Sequence, residues 1–433
     1  MPSENLAIRG GKPVRTTPLP LEFPGAQMMD EREVEAAARV LRSRSLFRYY
    51  GIQPQREVEA FEEEFARFVG VRHALGVSSG TGALHTAMMA LAVGPGDEVI
   101  VPAYLWVSVL AAIVNCGAVP VLADIDDTFC LDPADLERRI TPRTAGVVFV
   151  HMSGAPGDVE PAQAVARRRG LFLLEDCAQC AGGTLRGRPV GGFGDMAIFS
   201  FQTNKNMTAG EGGCVVTNDV RLYRRAFAAH DLGYARDEAG RLILDQADLR
   251  LWGMGYRLDE LRAAVLRVQL SKLPAIACSM RRSKYRMRAA LEKLRGIGLR
   301  RILDPAGDTG AFLITTYRDS QTAREFNAAL RAEGIVTWPQ GVANVLMTDW
   351  GLHLYYNNAS LVHRAAAGRA GFPWSLPQNA ACQDAYRKGT CPAADGLFER
   401  SILLPVPSCL SPADEDDVIR AFQKVAAALR QAA

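Results

Sequence analysis

Between residues 74 and 229 short apolar runs alternate with amphipathic stretches of helical period. A strand covered on both faces reads as a continuous apolar run, and the return to a parallel neighbour passes through a helix, so this alternation specifies strand-helix-strand units of a mostly parallel sheet. The pattern predicts strands over 74–77, 98–101, 119–123, 146–151 and 171–175, with helices over 81–91, 106–115, 133–140 and 161–168. Two more β-rich runs, 196–201 and 213–217, follow close together. Gly94-Pro95-Gly96-Asp97 is a turn ahead of the strand at Glu98. The consequence is an α/β fold.

A chain of 433 residues is long enough for a large domain and a smaller one. Composition shifts near 252–257, after which helices over 258–273 and 280–294 dominate, the second of them basic. The division expected is an N-terminal segment 1–30, a large domain 31–275 and a small C-terminal domain 276–433. The last helix, 412–429, opens on Ser411 as cap and Pro412 at its first position. The stretch 342–395, with Trp350, Tyr355, Tyr356 and Trp374, carries no clear period and reads as irregular, a lid or a subunit contact.

With 50 Lys and Arg against 47 Asp and Glu and no basic run, the chain has no footprint for a phosphate backbone. Its first ten residues lack the apolar core of a signal peptide, and no run of about eighteen apolar residues occurs, so neither nucleic acid nor membrane is expected and a cytoplasmic location is. Nine cysteines, an odd number at scattered positions, do not form a disulfide framework. Cys177-Ala178-Gln179-Cys180 matches a redox pair or half a zinc site in outline. No second pair with ligand spacing follows, so no metal is expected.

Asp176 stands at the carboxyl end of the run Leu171-Phe172-Leu173-Leu174-Glu175, the edge where open parallel sheets place their ligands. Facing a pyridine ring, an ionised Asp176 would keep the ring nitrogen protonated and make the ring an electron sink; as a strand-end acid it would equally serve as a helix cap. Lys205 follows 29 residues later, past the end of another apolar run and ahead of Ala209-Gly210-Glu211-Gly212-Gly213, whose glycines permit close backbone approach. Ser79-Gly80-Thr81-Gly82-Ala83 lies between a strand and a helix, where N–H groups converge on an anion, or where the chain simply turns. Its spacing is not that of a dinucleotide fingerprint.

The Ser-Gly-Thr turn at 79–81, Gly94-Pro95-Gly96-Asp97-Glu98-Val99-Ile100-Val101-Pro102, Glu175-Asp176-Cys177-Ala178-Gln179, Gly191-Gly192-Phe193-Gly194-Asp195 and Ser200-Phe201-x-x-x-Lys205 occur in this order. Together they resemble the DegT/DnrJ/EryC1/StrS family, pyridoxal-phosphate-dependent aminotransferases acting on sugars and cyclitols. The resemblance covers roughly residues 5–275 well and the rest loosely. It implies the type I aminotransferase fold, with a mostly parallel seven-stranded sheet in the large domain and a smaller C-terminal α/β domain.

It also implies roles: Lys205 as the Schiff-base lysine, Asp176 as partner of the pyridine nitrogen, and Gln179 near the phenolic oxygen. Gly80, Thr81 and Ser200 would hold the phosphate, and Trp106 would stack on the ring. His353 and Arg257 are candidates for substrate contact, each with a bland structural alternative. The donor implied is glutamate or glutamine, the acceptor a keto sugar or keto cyclitol, and the assembly a homodimer. One departure stands out: the family commonly has Asn-Tyr-Arg, its Asn reaching the phosphate of a neighbouring subunit's cofactor, where this chain reads Gly255-Tyr256-Arg257. Ile8 to Arg15 and the Ser200-Phe201-Gln202 variant are similar to the branch that serves antibiotic pathways. Competing readings are another pyridoxal-phosphate reaction, such as dehydration, aromatisation or elimination, and a non-catalytic cofactor-binding regulator. The dehydratases similar to this family carry His in place of the lysine, against which Lys205 argues.

Overall fold

The computed structural model describes residues 5–430 apart from 238, 338–341, 367, 369, 383 and 384. Residues 1–4 of the expected N-terminal segment lie outside the described residues. Seven strands form the main sheet: β1 (His73–Val77), β2 (Glu98–Pro102), β3 (Val119–Ala123), β4 (Thr144–Val150), β5 (Phe172–Asp176), β6 (Met196–Ser200) and β7 (Gly213–Thr217). Their order is β1-β7-β6-β5-β4-β2-β3. β2, β3, β4, β5 and β6 pair in parallel, while β7 runs antiparallel to both β6 and β1. Among the described residues the connection between the last two strands holds no helix, in keeping with this reversal, since a parallel return usually passes through one.

The strands are buried nearly end to end, as their Val, Ile and Leu content demands. Leu75, Val101, Val147, Leu174 and Ile198 are fully enclosed or nearly so, each contributing about 1.5–3 kcal/mol of apolar burial. Helices α1 (Glu31–Ser43), α2 (Glu57–Val69), α3 (Gly80–Ala90), α4 (Ser108–Asn115), α5 (Pro133–Arg139), α6 (Val159–Arg169) and α7 (Val220–His230) flank the sheet. Four of the seven starts carry side-chain caps: Asp30 with Glu33 in a capping box for α1, Ser79 for α3, Asp132 for α5 and Asp219 for α7.

The helices predicted over 258–273 and 280–294 are one helix, α8 (Glu260–Leu291), which runs 32 residues through Pro274. Tertiary packing at both ends overrides the breaker. Leu266, Leu270 and Leu273 belong to a core beneath the main sheet, and Ile276, Met280, Met287 and Leu291 to a second core. That second core is covered by an antiparallel sheet of β8 (Gly298–Leu299), β9 (Phe312–Thr316), β10 (Val345–Leu346) and β11 (Ser401–Pro405), ordered β8-β9-β11-β10. α9 (Ser320–Ala332) and the terminal α11 (Pro412–Arg430) pack on it, and Leu6 and Leu19 of the N-terminal segment insert there too.

The stretch expected to be irregular is a strap of short 3-10 turns and the helix α10 (Pro392–Glu399). It packs on the main-sheet core through Met347, Leu354, Tyr355, Leu361, Tyr386 and Phe398. Its polar ties are equally specific: Asp124, just past β3, accepts the N–H groups of Ala393 and Ala394 at 2.9 and 2.7 Å, and Asn379 donates to the Gly117 carbonyl at 2.9 Å. Among the described residues no helix is long and apolar enough to cross a membrane.

Candidate active site

The parallel strands end along one edge, where Val150 lies beside Asp176 and Asp176 beside Ile198. A cleft of about 390 Å³ opens there. Ser79, Gly80, Thr81, Trp106, Asp176, Gln179, Ser200, Lys205 and His353 all line it. Arg257 does not.

One end is built for an anion. Ser79 caps α3, its Oγ accepting the Gly82 N–H at 2.9 Å. The N–H groups of Gly80 and Thr81 find no partner among the described residues and lie at the positive end of the helix dipole. Ser200 closes the site from the end of β6. A Cβ at position 80 would stand 2.7 Å from the Ser200 Cβ, so only glycine brings this backbone so near the serine. Thr81 Oγ1 is held 2.8 Å from Ser108 Oγ.

At the centre, Asp176 is buried and accepts the Ala178 N–H at 2.9 Å. Loss of water pushes its pKa above the usual carboxylate value, opposed by that N–H and by the nearby charge of Lys205. Lys205 is shifted the other way: the walls of the cleft strip water from its amine and lower its pKa, while Asp176 and Glu211 partly restore it. A cation with weakened proton affinity and a carboxylate with strengthened affinity face one cleft. Lys205 is set by the tight loop after β6, in which its N–H donates to the Gln202 carbonyl at 2.9 Å.

The opposite side is aromatic. Gln179 Oε1 accepts the Ser153 N–H at 3.0 Å, and its Nε2 lies 3.2 Å from His353 Nε2. His353 Nδ1 lies 2.9 Å from the Trp350 carbonyl, which can only accept, so Nδ1 carries the proton and Nε2 takes the one from Gln179. Burial lowers the His353 pKa to about 4, so the ring is neutral at pH 7. It stacks on Trp350 with centroids 4.5 Å apart and lies 4.7 Å from Trp106. Trp106 remains 42 % exposed, so its indole has area left to offer a flat ligand.

Arg257 stands away from the cleft, paired with Asp231 at 2.7 Å. A Cβ at Gly255 would meet only Arg257, at 3.6 Å, so nothing in this fold requires glycine there. All nine cysteines are free. Cys177 and Cys180 are buried, their pKa values pushed far above the usual thiol value by burial, and Cys180 Sγ donates to the Gly154 carbonyl at 3.4 Å: both are packing residues.

Several residues of this site escape sequence reasoning. Glu175, read only as the end of a strand, accepts the N–H groups of Gly191, Phe193 and Gly194 at 2.6–2.8 Å and lies 3.0 Å from His151 Nε2. It joins β5 to the glycine-rich loop ahead of β6. His151, Glu175 and Cys177 are close enough to hold a metal ion, but the carboxylate is already saturated by these donors. Glu22, Ser108, Met152, Glu211, Phe312 and Trp350 also line the cleft. Only Glu211, amid the glycines after Lys205, had a local signal.

The model of the DegT/DnrJ/EryC1/StrS aminotransferase family matches residues 27–341. An L-glutamine:2-deoxy-scyllo-inosose aminotransferase of Streptoalloteichus tenebrarius is 43% identical over 278 residues, 62% of this chain and 64% of that protein. A putative L-glutamine:3-amino-2,3-dideoxy-scyllo-inosose aminotransferase of the same organism is 42% identical over 266 residues, 61% of each chain. These matches thus span less than two thirds of either relative. Among solved structures, 3-amino-5-hydroxybenzoic acid synthase superposes with a TM-score of 0.76 at 27% identity, covering 96% of this chain and 100% of the other. DesV of S. venezuelae, solved with a ketimine intermediate, gives 0.75 at 29% identity, covering 95% and 99%.

Proposed function

Since the chain belongs to the DegT/DnrJ/EryC1/StrS aminotransferase family, we propose that it moves an amino group from L-glutamine to a keto cyclitol, with pyridoxal 5'-phosphate carried on Lys205. The observation that carries this reading is the pairing of Lys205, its proton affinity lowered by burial, with a buried Asp176 in one cleft, beside an anion site made by α3 and Ser200. When bound, the cofactor supplies a carbonyl carbon that condenses with amines and a ring that takes up the electrons released at the donor carbon.

The residues present fit that group. The free N–H groups of Gly80 and Thr81 and the hydroxyl of Ser200 would hold the phosphate, and the Gly80–Ser200 approach leaves no side chain in the way. Asp176 would face the ring nitrogen, whose positive charge would offset the desolvation of the carboxylate. Gln179 would approach the phenolic oxygen, and Trp106 would cover the ring. A lysine whose amine is easily deprotonated is suited both to attack a carbonyl and, once displaced by the donor amine, to carry a proton between the substrate carbon and the cofactor. Trp106, Trp350 and His353 exclude water from that transfer.

The choice of donor and acceptor rests on the names of the relatives, which are glutamine:inosose aminotransferases of Streptoalloteichus tenebrarius and Micromonospora echinospora. A cyclitol is a hydroxylated, uncharged ring in a chair form whose C–H face can lie on an aromatic surface, and the neutral His353 between two tryptophans suits such a ring. The amino donor brings a carboxylate, yet Lys205 is the one cation among the described residues lining the cleft. A homodimer, in which the second copy completes the donor site, answers this. In keeping with it, Trp252, Leu244, Ile52 and Tyr50 are 92, 81, 71 and 65 % exposed, apolar side chains that a second copy would cover.

The test is reductive trapping followed by a half-reaction. Borohydride treatment of the cofactor-loaded protein is expected to label Lys205, and glutamine is expected to convert the cofactor to its amine form. A label elsewhere overturns the assignment. A label on Lys205 without conversion by glutamine or glutamate moves the reaction to elimination or dehydration.

A further inference from the structure

We infer that Arg300 is a positioning residue for this site: from the second sheet it locks the turn at Ser153, and that turn aims Gln179 into the cleft.

Arg300 follows β8, its backbone N–H donating to the Ile314 carbonyl of β9 at 3.1 Å, so it is anchored on the C-terminal sheet. Its side chain crosses to the large domain and is 2 % exposed. There the guanidinium meets no carboxylate among the described residues. Nε donates to the Thr128 carbonyl at 2.7 Å, one terminal nitrogen to Ser153 at 3.2 Å, and the other to Ala155 at 3.3 Å. One planar fork therefore holds three carbonyls from two separate loops. Lysine, with a single nitrogen, cannot reproduce this.

Ser153 is an unusual place to grip. Its φ of 54° puts a serine in the left-handed region, a conformation that persists only where the surroundings impose it. All three of its polar groups are engaged. The carbonyl accepts from Arg300, the hydroxyl lies 2.9 Å from Tyr104 Oη, and the N–H donates to Gln179 Oε1. The next carbonyl, of Gly154, accepts from both the N–H and the hydroxyl of Thr309, another residue of the C-terminal part. With Oε1 fixed by the turn, the Gln179 amide can turn its Nε2 only towards His353 and the cleft. Arg300 touches no residue that would meet a cofactor. It acts through Ser153.

This proposal rests on the reading of the cleft as a pyridoxal-phosphate site, in which Gln179 meets the phenolic oxygen. The measurement is the visible absorbance of the loaded protein as a function of pH, with thermal unfolding of the same samples. Gln179→Ala is the reference and is expected to move the absorbance midpoint by about one pH unit, the order set by losing one hydrogen bond to a charged oxygen. Arg300→Lys is expected to move it in the same direction by about half a unit or more, and the double variant no further than Gln179→Ala alone. Tyr104→Phe, which removes one lesser tie on Ser153, is expected to give a smaller shift of the same sign.

If Arg300→Lys lowers the unfolding temperature but its absorbance profile overlays that of the wild type, Arg300 is merely structural and the proposal is overturned. If Arg300→Lys does not fold, Tyr104→Phe decides: a shift of the same sign supports the proposal, and an unmoved profile overturns it. Failure of the cofactor reading looks different, because Gln179→Ala itself would then leave the absorbance unchanged.

Discussion

The two walls of the cleft are made in different ways. The wall holding Ser200, Asp176 and the α3 turn is carried on strand ends and a helix start, each fixed by a backbone ladder or a cap. The wall holding His353 and Trp350 is carried on 3-10 turns of a strap, held by ring stacking, by the bond from His353 Nδ1 to the Trp350 carbonyl and by one isolated bridge between Leu354 and Tyr104. A charge that must stay in place through a reaction belongs on the first kind of support, and a surface that must suit one ring among many belongs on the second. On this comparison, the first wall sets whether the chemistry runs and the second sets on what.

Substitutions on the two walls should therefore differ in kind as well as size. Lys205→Ala is expected to cut glutamine-dependent turnover by about 10⁴-fold, the upper range for a proton-transferring group, and to abolish borohydride labelling at that position. Asp176→Asn is expected to keep the cofactor bound while lowering kcat by about 10²–10³-fold with either acceptor, as seen in steady-state assays. His353→Phe, which keeps a ring on Trp350 but loses both hydrogen bonds, is expected to leave the glutamine half-reaction within about 3-fold of wild type. It should raise KM for a keto cyclitol by about 10-fold, because the Gln179 amide and the Trp350 carbonyl lose the ring nitrogens that set this face of the cleft, a loss of the order of one hydrogen bond. An equal loss in both halves would put the two walls in one functional unit and break the comparison.

The smallest effect expected is on pH. His353 and His230 are depressed from the usual 6.5 to about 4 and about 3 by burial. Between pH 6.5 and 4 the unfolded chain takes up protons on these groups that the folded chain refuses, so unfolding binds protons and stability is lost as pH falls through that window. It is fully present above 6.5. The unfolding temperature of the cofactor-free protein should fall on acidification across this range, and His353→Phe should make the fall shallower. A slope unchanged by the substitution would mean that the ring is not held neutral in the cleft.

The first wall was readable from the sequence and the second was not, for a physical reason. Apolar runs such as Val147-Val148-Phe149-Val150 and the turn at Ser79 declare themselves locally, because strand burial and helix capping are imposed by neighbours in the chain. Lys205 and Asp176 could be placed because each follows such a run. The sequence pattern divides one helix into two near Pro274, since nothing nearby tells that Leu273 and Ile276 are held in two different cores. Glu175, Arg300 and the strap act through partners many residues distant, as Arg300 does with Ser153 and Asp124 with Ala394. Such pairings leave no period and no spacing to find.

The packing of Tyr355, Tyr386 and Phe398 among the residues around β2 and β3 also bears on the order in which this protein comes into being. During synthesis the strands of the main sheet emerge long before the strap that completes their core, and the apolar ground awaiting Phe398 stays open until residue 398 has left the ribosome. Contacts so distant along the chain form slowly, and the uncovered surface is a site of association meanwhile. A nascent chain halted near residue 300 would thus hold the strand that bears Asp176 and the loop that bears Lys205 while lacking a finished interior.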